Sequence, residues 1–101
     1  MDGTEMKEWF VYLLRCADDT LYCGATTDVE RRVKEHNNGT ASKYTRVKRP
    51  VTLEAFVTCP DRGTALRVEH AVKQKPAKEK LAFLKEMSLE TGSALEREQK
   101  G

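Results

Sequence analysis

Apolar residues near the start of the chain form runs that are typical of β-strands. The segment WFVYLLRC, residues 9–16, is apolar on both alternating faces up to Arg15, which predicts a central strand. A tight turn at ADDT leads to LYCG, residues 21–24, and the two segments predict an antiparallel hairpin. Residues 51–58, VTLEAFVT, alternate apolar and polar side chains and predict a third strand. Its apolar face would hold Val51, Leu53, Ala55 and Val57.

Helical patterns fill much of the remaining chain. Thr27 and Glu30 have the spacing of a capping box, and Gly39 is a natural stop, so we predict a first helix over about residues 28–38. A second helix is predicted over about residues 64–74, where apolar side chains recur at helical spacing.

A third helix is predicted to begin at Pro76, because proline is favoured in the first turn of a helix. Its inward-facing side chains would be Leu81, Leu84 and Met87. Residues 40–50, TASKYTRVKRP, are polar and basic without a strong period. We therefore predict a loop there that faces solvent or a ligand.

The length of 101 residues corresponds to one domain, which we assign to residues 9–87. Residues 1–8 would form an N-terminal extension, and residues 88–101, which hold few large apolar side chains, a flexible tail. The three cysteines are an odd number without metal-type spacing, and no apolar signal segment or membrane span is recognisable. These features predict a reduced, cytoplasmic protein.

Charge is unevenly distributed along the chain. The formal net charge is only +2, which by itself argues weakly against a nucleic-acid partner. Between residues 31 and 49, however, seven basic residues stand against Glu35 alone, a local net charge of +6. Phosphate is the natural partner of such a surface, whereas the alternative is a solvated segment that keeps the protein soluble. The basic residues are Arg31, Arg32, Lys34, Lys43, Arg46, Lys48 and Arg49.

A few side chains fit poorly with the elements that carry them. Glu69 lies on or beside the apolar face of the second helix, where a carboxylate is costly unless it is paired or binds a cation. Arg32 and His36 lie one turn apart on the first helix and would project together. Each also has an ordinary structural interpretation as a border or surface residue. The same holds for Tyr12 and Tyr22, since aromatic residues are common in strands.

Taken together, these residues resemble the GIY-YIG nuclease family over about residues 9–84. The first family tripeptide corresponds to FVY, residues 10–12, and the second to YCG, residues 22–24. The arginine that follows the glycine by eight residues matches Arg32, and the histidine one turn later matches His36. The acidic residue on a later helix matches Glu69. The chain departs from the family at Phe10, Val11 and Cys23, and Leu81 stands where some members have asparagine.

The resemblance implies an α+β fold with a three-stranded antiparallel sheet flanked by about three helices. The apolar first strand favours the strand order 2-1-3. If Tyr12 and Tyr22 share one face of this sheet, strand alternation puts Cys16 on that face and Cys23 on the other, so these cysteines should not form a disulfide.

The resemblance also implies a division of roles among the site residues. Glu69 would hold one divalent ion, Mg²⁺ or Mn²⁺. Tyr12 would act as a general base toward the attacking water, provided that nearby positive charge lowers its pKa from about 10. Tyr22 would orient the water or the phosphate, Arg32 would stabilise charge on the scissile phosphate, and His36 would assist by hydrogen bonding or proton transfer.

A second group of residues would contact the substrate. Gly24 would allow close backbone approach, and the basic segment would bind phosphates. The candidates in that segment are Lys43, Tyr44, Arg46, Lys48 and Arg49.

These roles describe a metal-dependent endonuclease that hydrolyses DNA, rather than RNA, with a structure-selective task in DNA repair or recombination as one candidate. Two alternatives stay open at this point. The chain could be a non-catalytic nucleic-acid-binding module with the same fold, or a catalytic subunit that needs a partner protein. No membrane partner is expected.

Overall fold

The computed structural model describes residues 8–90. Strands β1 (Trp9–Arg15), β2 (Leu21–Thr26) and β3 (Thr52–Cys59) form one antiparallel sheet in the order β2-β1-β3. The α+β class and the strand order are therefore confirmed. The helices are α1 (Val29–Asn38), α2 (Lys43–Arg46), α3 (Arg62–Lys73) and α4 (Ala77–Glu90).

The ends of the predicted domain fall close to the limits of the described residues. Helix α4 continues to Glu90, past the boundary predicted at residue 87. Residues 1–7 and 91–101, which make up most of the predicted extension and tail, lie outside the described residues.

Strand alternation divides the side chains of β1 between the two faces of the sheet. On one face, which we call the α1 face, Tyr12, Leu14 and Cys16 form a small buried cluster with Val51. The opposite α3/α4 face carries the larger core, against which α3 and α4 pack. Its buried members are Val11, Leu13, Cys23, Val57, Cys59, Ala65, Val68, Val72 and Leu84.

The predicted separation of two cysteines is confirmed. Cys16 lies in the cluster with Tyr12, and Cys23 lies in the core on the other face. Both are buried free thiols, as is Cys59.

Helix α1 begins and ends with specific hydrogen bonds. The prediction that Thr27 caps this helix is wrong, because the Asp28 side chain accepts from the backbone N–H of Arg31 at 3.0 Å. Thr26 Oγ1 in turn accepts from the backbone N–H of Asp28 at 3.1 Å. At the other end Gly39 adopts a left-handed conformation with φ of 83°, which confirms the predicted stop.

Strand β3 does not keep the regular alternation that its sequence predicts. Leu13 of β1 pairs with Ala55, but Leu14 pairs with Leu53, so an extra residue at Glu54 forms an irregularity in the ladder. The prediction that four apolar residues share one face is therefore wrong. Leu53 pairs on the α1 face and remains 40% exposed, whereas Val57 is buried in the opposite core.

The prediction of a loop over residues 40–50 is also wrong in part. The single helical turn α2 begins after Ser42, whose hydroxyl accepts from the backbone N–H of Thr45 at 3.1 Å. The second predicted helix begins two residues early, because Asp61 caps α3 by accepting from the backbone N–H of Thr64 at 2.8 Å. Three side chains of α4 pack inward as predicted: Leu81, Leu84 and Met87.

Candidate active site

The centre of the site is a hydrogen bond between two buried side chains. Tyr12 projects from β1 and His36 from the last turn of α1, and the Tyr12 hydroxyl lies 2.9 Å from His36 Nε2. Neither residue is more than 1% exposed. His36 Nδ1 lies 2.7 Å from the Oγ1 atom of Thr45 on α2. Both imidazole nitrogens thus have partners inside the protein, as buried polar groups require.

Gly24 makes room for Tyr12. The two residues are directly opposite each other in the β1–β2 ladder. A Cβ atom on Gly24 would lie 2.6 Å from Tyr12 Cζ, which is far closer than a real contact allows. The space that glycine leaves is therefore filled by the tyrosine ring, whereas the sequence interpretation gave this space to the substrate.

The electrostatic surroundings keep both central groups uncharged at neutral pH. Burial raises the pKa of Tyr12 to about 12, and the neighbouring Arg32 guanidinium offsets only part of that effect. Burial, and next the positive charge of Arg32, lower the pKa of His36. The predicted role of Tyr12 as a base requires a pKa below that of a free tyrosine. Arg32 alone does not lower the pKa of Tyr12 that far.

Arg32 connects the hydrogen-bonded pair to the surface. Its Nη1 donates to Glu35 Oε1 at 2.8 Å, and the guanidinium also interacts with the Tyr12 hydroxyl. Its Nε is buried and has no hydrogen-bond partner within the described part of the chain. A buried donor without an acceptor is rare in proteins and is often explained by strain, an ordered water or a role in function.

Aromatic rings form a line from the buried histidine to the surface. Tyr22 packs edge-to-face on His36 with ring centroids 5.0 Å apart. Tyr44, which is 43% exposed, stacks on Tyr22 at 5.7 Å. Lys48 Nζ lies 4.8 Å from the centroid of the Tyr44 ring. The predicted site residues Tyr12, Tyr22, Arg32, His36 and Tyr44 are thus gathered on the α1 face.

Glu69 approaches from the other side of the sheet. Its carboxylate pairs with Lys73 Nζ at 2.9 Å and is 18% exposed, so it is the border position that the sequence left open. Burial, and next the charge of Glu69, raise the pKa of the Cys23 thiol to about 12. Lys73, Tyr22 and Tyr44 line a groove of about 280 Å³ beside this edge strand.

A metal ion at Glu69 would have few protein ligands. Among the described side chains, residues 8–87, no three His, Cys, Asp or Glu come together in a cluster that could hold a metal ion. Mg²⁺ retains several of its waters and needs only one or two carboxylates. The partly exposed Glu69 could supply one, but in this structure it is paired with Lys73. Leu81, where some GIY-YIG members have asparagine, packs against the apolar core and offers no ligand.

The basic segment divides into residues that hold the fold and residues that are available to a ligand. Lys48 forms an ion pair with Asp18, and Arg49 donates to the carbonyl of Arg46 at 2.8 Å. Lys43 and Arg46 are exposed, and their side chains have no ion-pair or hydrogen-bond partner among residues 8–87, whose side chains the structure describes. Lys43 and Arg46 are therefore the better candidates for phosphate contacts.

Comparison with known proteins identifies the family of this chain. The model of the GIY-YIG catalytic domain matches residues 8–82. The chain belongs to the GIY-YIG family. Members of this family are generally endonucleases that use divalent metal ions, and the domain implies binding of a DNA substrate.

Individual relatives of this GIY-YIG protein are small proteins of similar length. A UPF0213 protein of Nitratidesulfovibrio vulgaris is 48% identical over 83 residues, which cover 82% of this chain and 76% of the relative. UPF0213 protein DP2720 of Desulfotalea psychrophila is 45% identical over 83 residues, covering 81% and 76% of the two chains. The solution structure of protein EF2693 from E. faecalis is 39% identical, has a TM-score of 0.57 and covers 82% of this chain and 88% of its own.

Within residues 8–90, the helices are all too short or too polar to cross a membrane. Two residues of the site were not predicted from the sequence. Thr45 contacts His36, and Glu35 accepts a hydrogen bond from Arg32. Glu35 could have been found from its spacing of three residues from Arg32, whereas Thr45 carries no signal in its own segment.

Proposed function

We propose that this protein is an endonuclease that hydrolyses phosphodiester bonds in DNA with the help of one divalent metal ion. The observation that carries the proposal is the buried hydrogen bond between Tyr12 and His36, with the Arg32 guanidinium beside it. A fold needs neither a buried phenol–imidazole pair nor a guanidinium with an unused buried Nε. Hydrolysis of a phosphodiester needs a proton acceptor and a cationic group close together.

Tyr12 would act as the general base through a proton relay. Because its pKa is about 12, the phenol is protonated at neutral pH and cannot accept a proton without losing its own. The neighbouring His36 Nε2, 2.9 Å away, offers the place for that proton. Tyr12 would accept a proton from the attacking water at its oxygen while it passes its own proton to His36.

Arg32 would bind the phosphate as charge develops on it. Its guanidinium is held by Glu35 on one side and by Tyr12 on another, so its orientation is set before substrate arrives. The exposed part of the guanidinium would donate to a phosphate oxygen, since the Arg32 side chain is 36% exposed. Tyr22, which packs on His36, would help to orient the water or the phosphate.

Glu69 would hold the metal ion, whose positive charge would lower the cost of charge build-up on the phosphate. Its carboxylate is now paired with Lys73, so an ion would have to compete with, or displace, that ammonium group. The same ion pair favours the alternative function, a DNA-binding module without catalysis. In that case Lys73 would neutralise Glu69 permanently, and no metal would be needed.

The substitution Glu69→Gln separates the two functions. The parent protein is incubated with linear, branched and flapped DNA in Mg²⁺ or Mn²⁺, and cleavage and binding are measured separately. If Glu69 holds the metal, Glu69→Gln abolishes cleavage but binds DNA at least as tightly, because a negative charge near the phosphates has been removed. Glu79→Gln, the same change at an exposed position on α4, is the control and should behave as the parent.

Three results would distinguish the possibilities. Cleavage by Glu69→Gln at the parent rate would refute the metal assignment. Binding without cleavage under any condition by the parent would favour the binding module. Cleavage that begins only after a cell extract is added would favour a catalytic subunit that depends on a partner protein.

A further inference from the structure

Thr45 is a buried polar residue that the proposed reaction has not yet used. It is fully buried, although it lies on the single helical turn α2 between the exposed residues Tyr44 and Arg46. Its Oγ1 is 2.7 Å from His36 Nδ1 and 3.1 Å from the Ser42 hydroxyl. It also lies 3.5 Å from the Ser42 carbonyl oxygen.

The positions of the hydrogens around His36 can be worked out from what each neighbour is able to donate. Arg32 can only donate, and its guanidinium interacts with the Tyr12 oxygen. The hydroxyl hydrogen of Tyr12 needs an acceptor, and His36 Nε2, 2.9 Å away, is its hydrogen-bond partner among the described residues. If Nε2 also carried a hydrogen, the hydrogen of the phenol would lack an acceptor among the described side chains in this buried place.

A neutral imidazole with a bare Nε2 carries its hydrogen on Nδ1. That hydrogen points to Thr45 Oγ1 at 2.7 Å, which accepts it. The hydroxyl hydrogen of Thr45 then goes to Ser42, whose carbonyl oxygen can only accept. Each donor in the series of hydrogen bonds from Tyr12 through His36 and Thr45 to Ser42 thus has one acceptor.

We infer that Thr45 is a positioning residue that holds His36 in the Nδ1–H tautomer, so that Nε2 is free to accept the proton of Tyr12. The consequence for catalysis rests on the proposed function, but the tautomer does not. An exposed histidine favours hydrogen on Nε2, and in that form His36 would present a hydrogen, not a lone pair, to Tyr12.

The proton transfer is balanced with this arrangement. The O–H bond of Tyr12 breaks as an N–H bond forms at His36 Nε2, which gives a phenolate and an imidazolium. The imidazolium donates from both nitrogens, to the Tyr12 oxygen and to Thr45 Oγ1. The Thr45 hydroxyl therefore suits both the neutral and the protonated state of the ring.

Nitrogen-15 NMR of the two histidines tests the inference directly. The long-range proton–nitrogen spectrum of the imidazole ring distinguishes Nδ1–H from Nε2–H at neutral pH. We expect His36 in the Nδ1–H form and the exposed His70 of α3, an internal reference, mainly in the Nε2–H form. A parent protein with His36 in the Nε2–H form would overturn the inference, and this measurement needs no variant.

Two substitutions separate the hydroxyl from the shape of the side chain. Thr45→Val removes the hydroxyl at nearly constant volume and should move His36 toward the Nε2–H form, whereas Thr45→Ser keeps the hydroxyl and should preserve Nδ1–H. An unchanged tautomer in folded Thr45→Val would refute the role. If Thr45→Val does not fold, loss of the Nδ1–H form in Thr45→Ser would refute it instead.

Kinetics then test whether the tautomer matters for the reaction. For a protein that cleaves DNA, Thr45→Val should lower kcat about 10- to 100-fold, as for other groups that orient a functional histidine. KM should stay near the parent value, because Thr45 does not reach the substrate. Thr45→Ser should recover most of kcat, and equal losses in both variants would mean a structural role only.

Discussion

Replacing Gly24 by alanine tests how tightly the centre of the site is packed. The added Cβ would lie 2.6 Å from Tyr12 Cζ and 3.1 Å from Cε2. The ring cannot move away freely, because Tyr12 is 1% exposed and its hydroxyl is hydrogen bonded to buried His36. Forcing a methyl group into a filled core typically costs about 1–3 kcal/mol of unfolding free energy. We expect Gly24→Ala to be destabilised by that amount.

Thermal unfolding measures the effect, and the chain offers a matched control. For a domain of this size, 1 kcal/mol corresponds to roughly 4–8 °C in Tm, so Gly24→Ala should melt about 4–24 °C lower than the parent. Gly63 of α3 is the control, since a Cβ there would lie no closer than 3.6 Å to its nearest neighbour, Asp61 Oδ1. Gly63→Ala should be neutral or stabilised by about 0.5–1 kcal/mol, because alanine is the better helix former.

A double-mutant cycle identifies the ring as the cause. Tyr12→Leu removes the atoms that the new methyl would strike, so Gly24→Ala should cost much less in that background, with a coupling energy of about 0.5–3 kcal/mol. An equal cost in both backgrounds would refute the packing argument. A variant that melts like the parent but binds DNA more weakly would show instead that Gly24 serves the substrate.

Two further substitutions test the charged residues of the proposed site. Arg32→Ala should lower the cleavage rate on the order of 10²-fold or more while DNA affinity changes much less, and lysine should rescue poorly because it lacks the planar fork. Equal losses of rate and affinity would make Arg32 a contact that only positions the DNA. Replacing Lys43 and Arg46 together by serine should weaken DNA binding and reduce the slope of log affinity against log salt by roughly two, one for each lost phosphate contact. Lys48→Ser and Arg49→Ser should lower Tm more than they change the slope, because these side chains hold Asp18 and the end of α1. A salt slope that does not change in the Lys43 and Arg46 double variant would show that the segment is only a solvated surface.

The hairpin and α1 could be predicted because their signals are local. A continuous apolar run identifies the central strand β1, and Gly39 ends α1 as predicted, since its φ of 83° suits glycine. The face of Leu53 could not be predicted in the same way. Its orientation depends on the extra residue at Glu54, and that irregularity appears only when β3 pairs with β1.

The candidate site could also be predicted only where the signals are local. The spacing of Arg32 and His36 on one helix indicated that they project together, and both interact with Tyr12 in the structure. Thr45 could not be found from the sequence. Its helical turn is only four residues long, too short for a period, and its contact with His36 depends on how α2 packs on α1.

A tyrosine with a pKa of about 12 is at first sight a poor choice for a base. A free tyrosine, with a pKa of about 10, is also almost fully protonated at neutral pH, so the rise to about 12 changes the protonation state of Tyr12 very little. What burial changes is the destination of the proton. An exposed phenol gives its proton to water, whereas Tyr12 can pass it to His36 Nε2 inside the protein.

The arriving substrate then favours this transfer at the histidine. A phosphodiester carries negative charge, which stabilises an imidazolium nearby and so opposes the effects of burial and Arg32 on the pKa of His36. The same negative charge disfavours a phenolate, but Arg32 lies beside the Tyr12 oxygen and offsets it. Under the proposed mechanism, the relay would therefore be inactive in the free protein, and a phosphate that lies against Arg32 would make protonation of His36 less costly.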